Sequence, residues 1–135
     1  MKMENFFAPC PRGLEAELAR ELVALGAAGV EPTDGGAHFA GPMRLCYRTN
    51  LESRIASRIL WRIAVTSYRS EDDIYQATRS LQWPLWFNVD NTIRVNVAAL
   101  RCPLQSLDFV TLRIKDAICD AFRDYCGERP SVDTR

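Results

Sequence analysis

The stretch Leu107–Arg135 (LDFVTLRIKDAICDAFRDYCGERPSVDTR) restricts the fold of the chain more than any other. Val110, Ile114, Ala117, Ile118, Ala121, Phe122 and Tyr125 recur at helical spacing, so one face of a long helix is continuously apolar. Gly127 stands where a C-terminal cap belongs, and Pro130 follows as a stop. Leu112 and Cys119 form a second apolar line near the opposite side. A surface helix has no use for that line. Either two sides of the helix are covered, or its first turn is not helical. The tail Ser131–Arg135 reads as the approach to a further element, expected to be held by a neighbouring chain or to be poorly ordered.

The segment before this helix supplies too little sheet to cover it. Thr92–Leu100 alternates, with Ile93, Val95, Val97 and Ala99 on one face and Arg94 and Asn96 on the other, the pattern of a half-buried strand. Ser70 and Asp73 make a capping box, with Glu71 and Asp72 at the positive end of a helix whose Ile74, Ala77 and Leu81 face inward. Gln82–Phe87 is an aromatic knot around Pro84. A core role for Trp83, Trp86 and Phe87 outweighs a base-stacking platform. Arg101–Ser106 is a loop. One strand cannot bury two helices, so this second unit is short of partners.

The N-terminal half reads more completely. Asn5–Pro9 is a short strand, and Leu14, Leu18, Leu22 and Leu25 form the stripe of a helix capped by Gly26. Gly29–Thr33 and Ala37–Ala40 are the arms of a hairpin turning at Asp34-Gly35-Gly36, with Pro32 suited to an edge. A helix follows from about Pro42 to Leu51. Ile59–Tyr68 is rich in β-branched and aromatic residues and favours a strand from about Arg58 to Tyr68. The order is βαββαβ, ferredoxin-like, over residues 1–69.

Hydrophobic residues make up 47% and charged residues 25%, a folded profile, and no apolar run reaches membrane-spanning length. A cytoplasmic setting is the default expectation. Cys10, Cys46, Cys102, Cys119 and Cys126 are odd in number and form no C-x-x-C pair, which argues for reduced thiols and against a disulfide framework or zinc. His38 has no partner at ligand spacing and reads as structural or surface. No glycine-rich phosphate loop or nucleophile–base pair is present, so no catalytic residue is assigned. A plain turn outweighs a phosphate cradle at Asp34-Gly35-Gly36.

Net charge is zero, which argues against attachment to nucleic acid by bulk charge. The cations are uneven in kind: Lys2 and Lys115 are the only lysines among 17 basic residues. Arginine favours phosphate forks and base stacking, and a GC-rich genome yields the same bias. Arg54, Arg58 and Arg62 share a face as helix or strand, most simply a solvated one. Arg94 on the polar side of its strand, Arg101 just past the strand end, and Arg113 and Lys115 on the early helix would together make an anion site. Ordinary surface charges in local pairs account for them equally well.

The ordered motifs Arg12-Gly13-Leu14-Glu15, Gly35-Gly36 with His38-Phe39 and Gly41, Ser53-Arg54 with Ala56-Ser57-Arg58, Asp73-Ile74-Tyr75 before Trp83, Lys115-Asp116-Ala117-Ile118, and Arg129-Pro130-Ser131-Val132-Asp133 resemble the N-terminal region of bacterial 23S rRNA guanine-N2 methyltransferases. That region is a ferredoxin-like domain followed by THUMP, an RNA-binding module. The resemblance implies an α+β chain: a ferredoxin-like domain over residues 1–69, then the first part of a THUMP domain over 70–135. It implies structured RNA, 23S rRNA, as partner, with Arg94, Arg101, Arg113, Lys115 and Arg129 as contacts. S-adenosylmethionine is implied only for a catalytic domain that this sequence does not contain. The chain departs from the pattern at Ser106–Thr111, where Asp108 adds a negative charge and Arg113 takes the first lysine position of a Lys-x-Lys-Asp segment. Two other classes stand beside this one: a small ferredoxin-like ligand-binding module, and a protein-interaction piece that self-associates through incomplete sheet edges.

Overall fold

The computed structural model describes residues 2–99 and 101–133. The chain divides into two compact units, residues 1–65 and 66–135.

In the first unit, β1 (Glu4–Pro9), α1 (Glu15–Ala24), β2 (Ala28–Thr33), β3 (Gly36–Gly41), α2 (Met43–Glu52) and β4 (Leu60–Arg62) follow one another. The strands form an antiparallel sheet in the order β2-β3-β1-β4. This is the ferredoxin-like arrangement. Alternation along the strands sends Phe6, Ala8, Ala37 and Phe39 to one face, where Leu18 and Leu22 of α1 and Leu45 of α2 close the core. Phe6 and Phe39 stack at 5.3 Å between ring centroids. Glu21 of α1 ties down the chain leaving α2, accepting from the Ser53 hydroxyl at 2.5 Å and from Arg54 N–H at 2.9 Å.

The strand expected over Arg58–Tyr68 is only Leu60–Arg62. The register explains the difference. Phe7 pairs with Leu60, Phe6 with Trp61 and Asn5 with Arg62. Continuing it sets Ile63 against Glu4, the first residue of β1, and Ala64 against Met3, outside the strand. With no backbone partner to extend along, the β-prone run leaves the sheet, and Val65 is exposed.

The second unit contains α3 (Glu71–Arg79), a 3₁₀ turn at Trp83–Leu85, and α4 (Leu107–Cys126). The capping box at α3 forms as expected, Ser70 and Asp73 bonding each other's backbone. Tyr75 is the buried residue of α3, while Ile74, Ala77 and Leu81 are half-buried. Ser106 Oγ caps α4, accepting from Phe109 N–H at 3.2 Å, and Gly127 ends it at φ 80°, a left-handed value that glycine adopts without strain. The first turn is therefore helical. Val110, Ala117, Ile118, Cys119 and Phe122 are buried. Of the second apolar line, Cys119 is covered and Leu112 is 52% exposed; Tyr125, expected inward, is 73% exposed. Of the three aromatics expected in the core, Trp83 and Phe87 are half-buried and pack inward, while Trp86 is exposed. Trp83 Nε1–H donates to the Thr78 carbonyl at 2.8 Å, and the Phe87 and Phe122 rings lie 5.1 Å apart.

Thr92–Leu100 does not form the expected strand among its described residues; Leu100 lies outside them. Ile93 alone makes a bridge, parallel to Val132. The burial alternation persists at Ile93, Val95 and Val97 and stops at Ala98–Ala99, both exposed. The pattern is that of a strand, but among the described residues a single bridge to one neighbour forms. That neighbour is the tail, which was expected to need another chain or to lack order. Ser131 O accepts from Ile93 N–H at 2.9 Å, and Asp133 N–H donates to Ile93 O at 2.8 Å. Through Asp133 the tail is held by its own chain; Thr134 and Arg135 lie outside the described residues.

Candidate nucleic-acid interface

The bridge between Ile93 and Val132 builds the site. It holds the extended segment around Arg94 beside the tail. Because α4 turns Val110, Ala117 and Phe122 inward, its Thr111, Leu112 and Lys115 meet that segment. The result is a cleft of about 210 Å³, lined by Arg94, Asn96, Thr111, Leu112, Lys115 and Asp133 among others. Lys115 Nζ stands 2.9 Å from Asp116 Oδ1, and its side chain is three-quarters covered. The cleft therefore carries two cations, two neutral hydrogen-bonding side chains and a carboxylate. Its positive charge is local and partly compensated.

Arg113 belongs to a different set. Its guanidinium carbon lies 4.1 Å above the centre of the Tyr75 ring, a cation–π contact on a largely covered side chain. Asp72 at 3.8 Å and Asp116 at 4.0 Å flank it. The Tyr75 hydroxyl donates to Asp120 Oδ2 at 2.5 Å and accepts from Arg79 Nη1–H at 3.1 Å. Arg79 in turn pairs with Asp124 at 2.5 Å, and Arg123 with Asp120 at 3.4 Å. The bond to Asp120, and then burial, push the Tyr75 hydroxyl above its ordinary pKa, because a phenolate would face a carboxylate. The bond to Asp124 likewise raises the Arg79 pKa. This network fastens α3 to α4.

Of the expected contacts, then, the structure brings Arg94 and Lys115 together and turns Arg113 toward α3. Arg101 is exposed in the loop before α4, with φ 55°, a left-handed value that non-glycine residues rarely adopt. Arg129 is exposed between the Gly127 cap and the paired tail. Arg54, Arg58 and Arg62 are exposed but divided among a bend, a loop and β4, so they form no continuous stripe. Sequence reasoning missed Tyr75. The available signal was Arg79 one helical turn later, with which an inward tyrosine bonds through its hydroxyl.

Two further hollows lie in this unit. An open groove of about 490 Å³ is lined by Arg79, Leu81, Pro84, Leu85, Asp124 and Tyr125, its opposite charges already paired. A smaller apolar one of about 300 Å³ lies by Cys102, where the Tyr68 hydroxyl donates to Sγ at 3.4 Å. Among the described residues no cluster of three His, Cys, Asp or Glu is placed to hold a metal ion, and no helix is long and apolar enough to cross a membrane.

Two family models match this chain: the RlmL ferredoxin-like domain over residues 5–60, and the THUMP domain over residues 68–135. The Ribosomal RNA large subunit methyltransferase K/L of Cellvibrio japonicus (strain Ueda107) is 37% identical over 133 residues, covering 98% of this chain and 18% of that protein. The protein of the same name from Syntrophotalea carbinolica is 41% identical over 129 residues, with 96% and 18% covered. The chain thus spans about a fifth of the length of these relatives. Among solved structures, a possible methylase from Clostridium difficile 630 superposes with a TM-score of 0.85 at 23% identity, over 98% of this chain and 36% of that one. At that identity the likeness bears on fold.

Proposed function

Because this chain belongs to the THUMP family and carries an RlmL-type ferredoxin-like domain ahead of its THUMP domain, we propose that it is the RNA-recognition part of an S-adenosylmethionine-dependent 23S rRNA guanine-N2 methyltransferase. Under this reading the chain grips structured RNA so that a catalytic domain, in the length the relatives have beyond this match, reaches one guanine. The observation that supports it best is the meeting of Arg94 and Lys115 across a cleft with Asn96 and Thr111. Two cations on opposite walls hold consecutive phosphates, and the neutral groups add hydrogen bonds that fix register. Arg101 and Arg129 extend the contact. Arg113 acts through Tyr75, holding α4 and hence Lys115 in place.

Under this reading the methyl donor belongs to the catalytic domain, and this chain's sequence carries no glycine-rich loop of the kind through which backbone amides approach such a cofactor.

The test is fluorescence anisotropy with a labelled 23S rRNA hairpin across a salt series. Contacts from Arg94, Lys115, Arg101 and Arg129 set a slope of log K against log salt no steeper than about −4, at roughly −0.9 per phosphate. Arg94→Ala with Lys115→Ala flattens it by about 2. Salt-insensitive binding, or none at any ionic strength, overturns the reading.

A further inference from the structure

The first unit has a sheet face that neither of its own helices covers. Both helices pack on the side of Phe6, Ala8, Ala37 and Phe39. Strand alternation places Asn5 and Phe7 of β1, His38 of β3, Leu60 and Arg62 of β4, and Glu31 of β2 on the other side. At its centre, on the two middle strands, the rings of Phe7 and His38 lie 4.8 Å apart, tilted by 46°. His38, Asn5, Leu60 and Arg62 are exposed and Phe7 is half-buried. The Phe7 ring reaches across its own strand pair toward Gly36, where an added Cβ would stand 2.6 Å from Phe7 Cζ and collide with the Ala8 carbonyl oxygen. Glycine at that position leaves the ring room to lie over the sheet.

We infer that this face is a second RNA contact, in which Phe7 and His38 stack unpaired bases of a single-stranded segment while Arg62 holds its phosphate backbone. The composition selects this occupant. A seat for an apolar helix is aliphatic, and Leu60 is the one large aliphatic side chain among these positions. Two adjacent aromatic rings offer the π-faces on which any base stacks. Asn5 stands beside them with an amide that both donates and accepts toward a base edge. Charge orients the strand: Arg62 lies on the β4 side and Glu31 on the β2 side, so phosphates run along β4 and are repelled from β2. The inference rests on the RNA-recognition reading above but involves none of the residues of the cleft.

The experiment uses the whole 135-residue chain and two probes, a single-stranded RNA nonamer containing 2-aminopurine and an RNA hairpin whose stem is fully paired and whose loop is a base-free linker. His38→Ala and Phe7→Leu are expected to weaken nonamer binding about five- to hundredfold, the range that base–aromatic stacking supplies, and to abolish quenching of the 2-aminopurine. Hairpin binding stays within twofold. His38→Tyr restores the nonamer affinity, and Arg62→Ala flattens its salt slope by about 0.7. Circular dichroism melts verify that each variant is folded. If His38→Ala, which touches only an exposed ring, leaves nonamer affinity and quenching unchanged while Arg94→Ala with Lys115→Ala still weakens the hairpin, this inference is overturned and the cleft reading stands. The same holds if the face proves to dock protein and ignores RNA. Absence of binding to both probes overturns both.

Discussion

Replacing Arg113 separates a residue that holds RNA from one that holds the fold. Arg113→Ala removes a guanidinium 4.1 Å above the Tyr75 ring. A cation–π contact contributes about 0.5 kcal/mol when exposed and about 2 when desolvated, and Arg113 keeps 28% of its side-chain exposure, which places it between. The ion pairs to Asp72 and Asp116 are long and lead to partly exposed carboxylates, so they add a few tenths of a kcal/mol at most. The arginine stem over the ring adds packing. The sum is about 1–2 kcal/mol. In urea, with a slope of about 2 kcal/mol per molar, the midpoint falls by about 0.5–1 M. Arg113→Lys keeps the charge, loses the planar stack, and lands between wild type and Ala. The salt slope of RNA binding stays at the wild-type value for both. Arg94→Ala does the opposite, flattening the slope by about 0.9 and leaving the urea midpoint unchanged. An Arg113→Ala protein with wild-type stability, weaker RNA binding and a slope flattened by about 0.9 would refute the reasoning. It would mean that the guanidinium leaves Tyr75 to hold a phosphate.

Phe122→Ala removes a ring that is 1% exposed and packed on Phe87; a cost of about 3–5 kcal/mol is expected, enough to abolish the near-ultraviolet circular dichroism of the aromatic knot. The Tyr75 hydroxyl has a folded pKa above its ordinary value of 10.0, so the unfolded chain releases this proton first and the stabilisation, complete below pH 10, is lost as pH rises through the folded value. Melting temperatures measured from pH 8 to 11 should fall above pH 10, and less so in Tyr75→Phe; an equal fall in both sinks the assignment. Alkylation at pH 8 followed by mass spectrometry should label exposed Cys126 first. Cys10, whose thiol is pushed up by burial and then by Glu15, should react only on unfolding, as should buried Cys119.

The elements legible in the sequence were those whose signals are local. The Ser70 cap with Asp73, the Gly127 stop and the Asp34-Gly35 turn each depend on a few neighbouring residues, and all three formed. The leucine stripe of α1 was legible for the same reason: its period names the buried residues Leu18 and Leu22. The errors fell on strands, whose length depends on a partner elsewhere in the chain. Arg58–Tyr68 and Thr92–Leu100 are equally strand-like in composition. One forms three residues because β1 is no longer alongside, and the other forms, among the described residues, a single bridge to the tail. No property of those segments alone sets either limit.

The same reasoning explains why the cation set was only half legible. Arg113 and Lys115 are two positions apart, and at 3.6 residues per turn they point about 200° apart around α4. They leave the helix on opposite sides. Which of them faces the cleft depends on where α4 buries its apolar stripe, and Val110, Ala117 and Phe122 settle that by turning Lys115 toward Arg94 and Arg113 toward Tyr75. Zero net charge still offers a polyanion no bulk attraction, so any grip on RNA must come from local placement. Arg113, Arg79 and Arg123 are paired with Asp72, Asp124 and Asp120 within the unit and hold α3 on α4; these pairs take up cations and carboxylates equally, so what favours a polyanion is where the other cations stand. What remains for a polyanion is a few cations at defined places and no broad positive field. Such a surface gives modest affinity and strong dependence on the shape of the RNA. That makes the salt slope, bounded near −4 for the four cations of the proposed contact, the sharpest measure of how many phosphates are held.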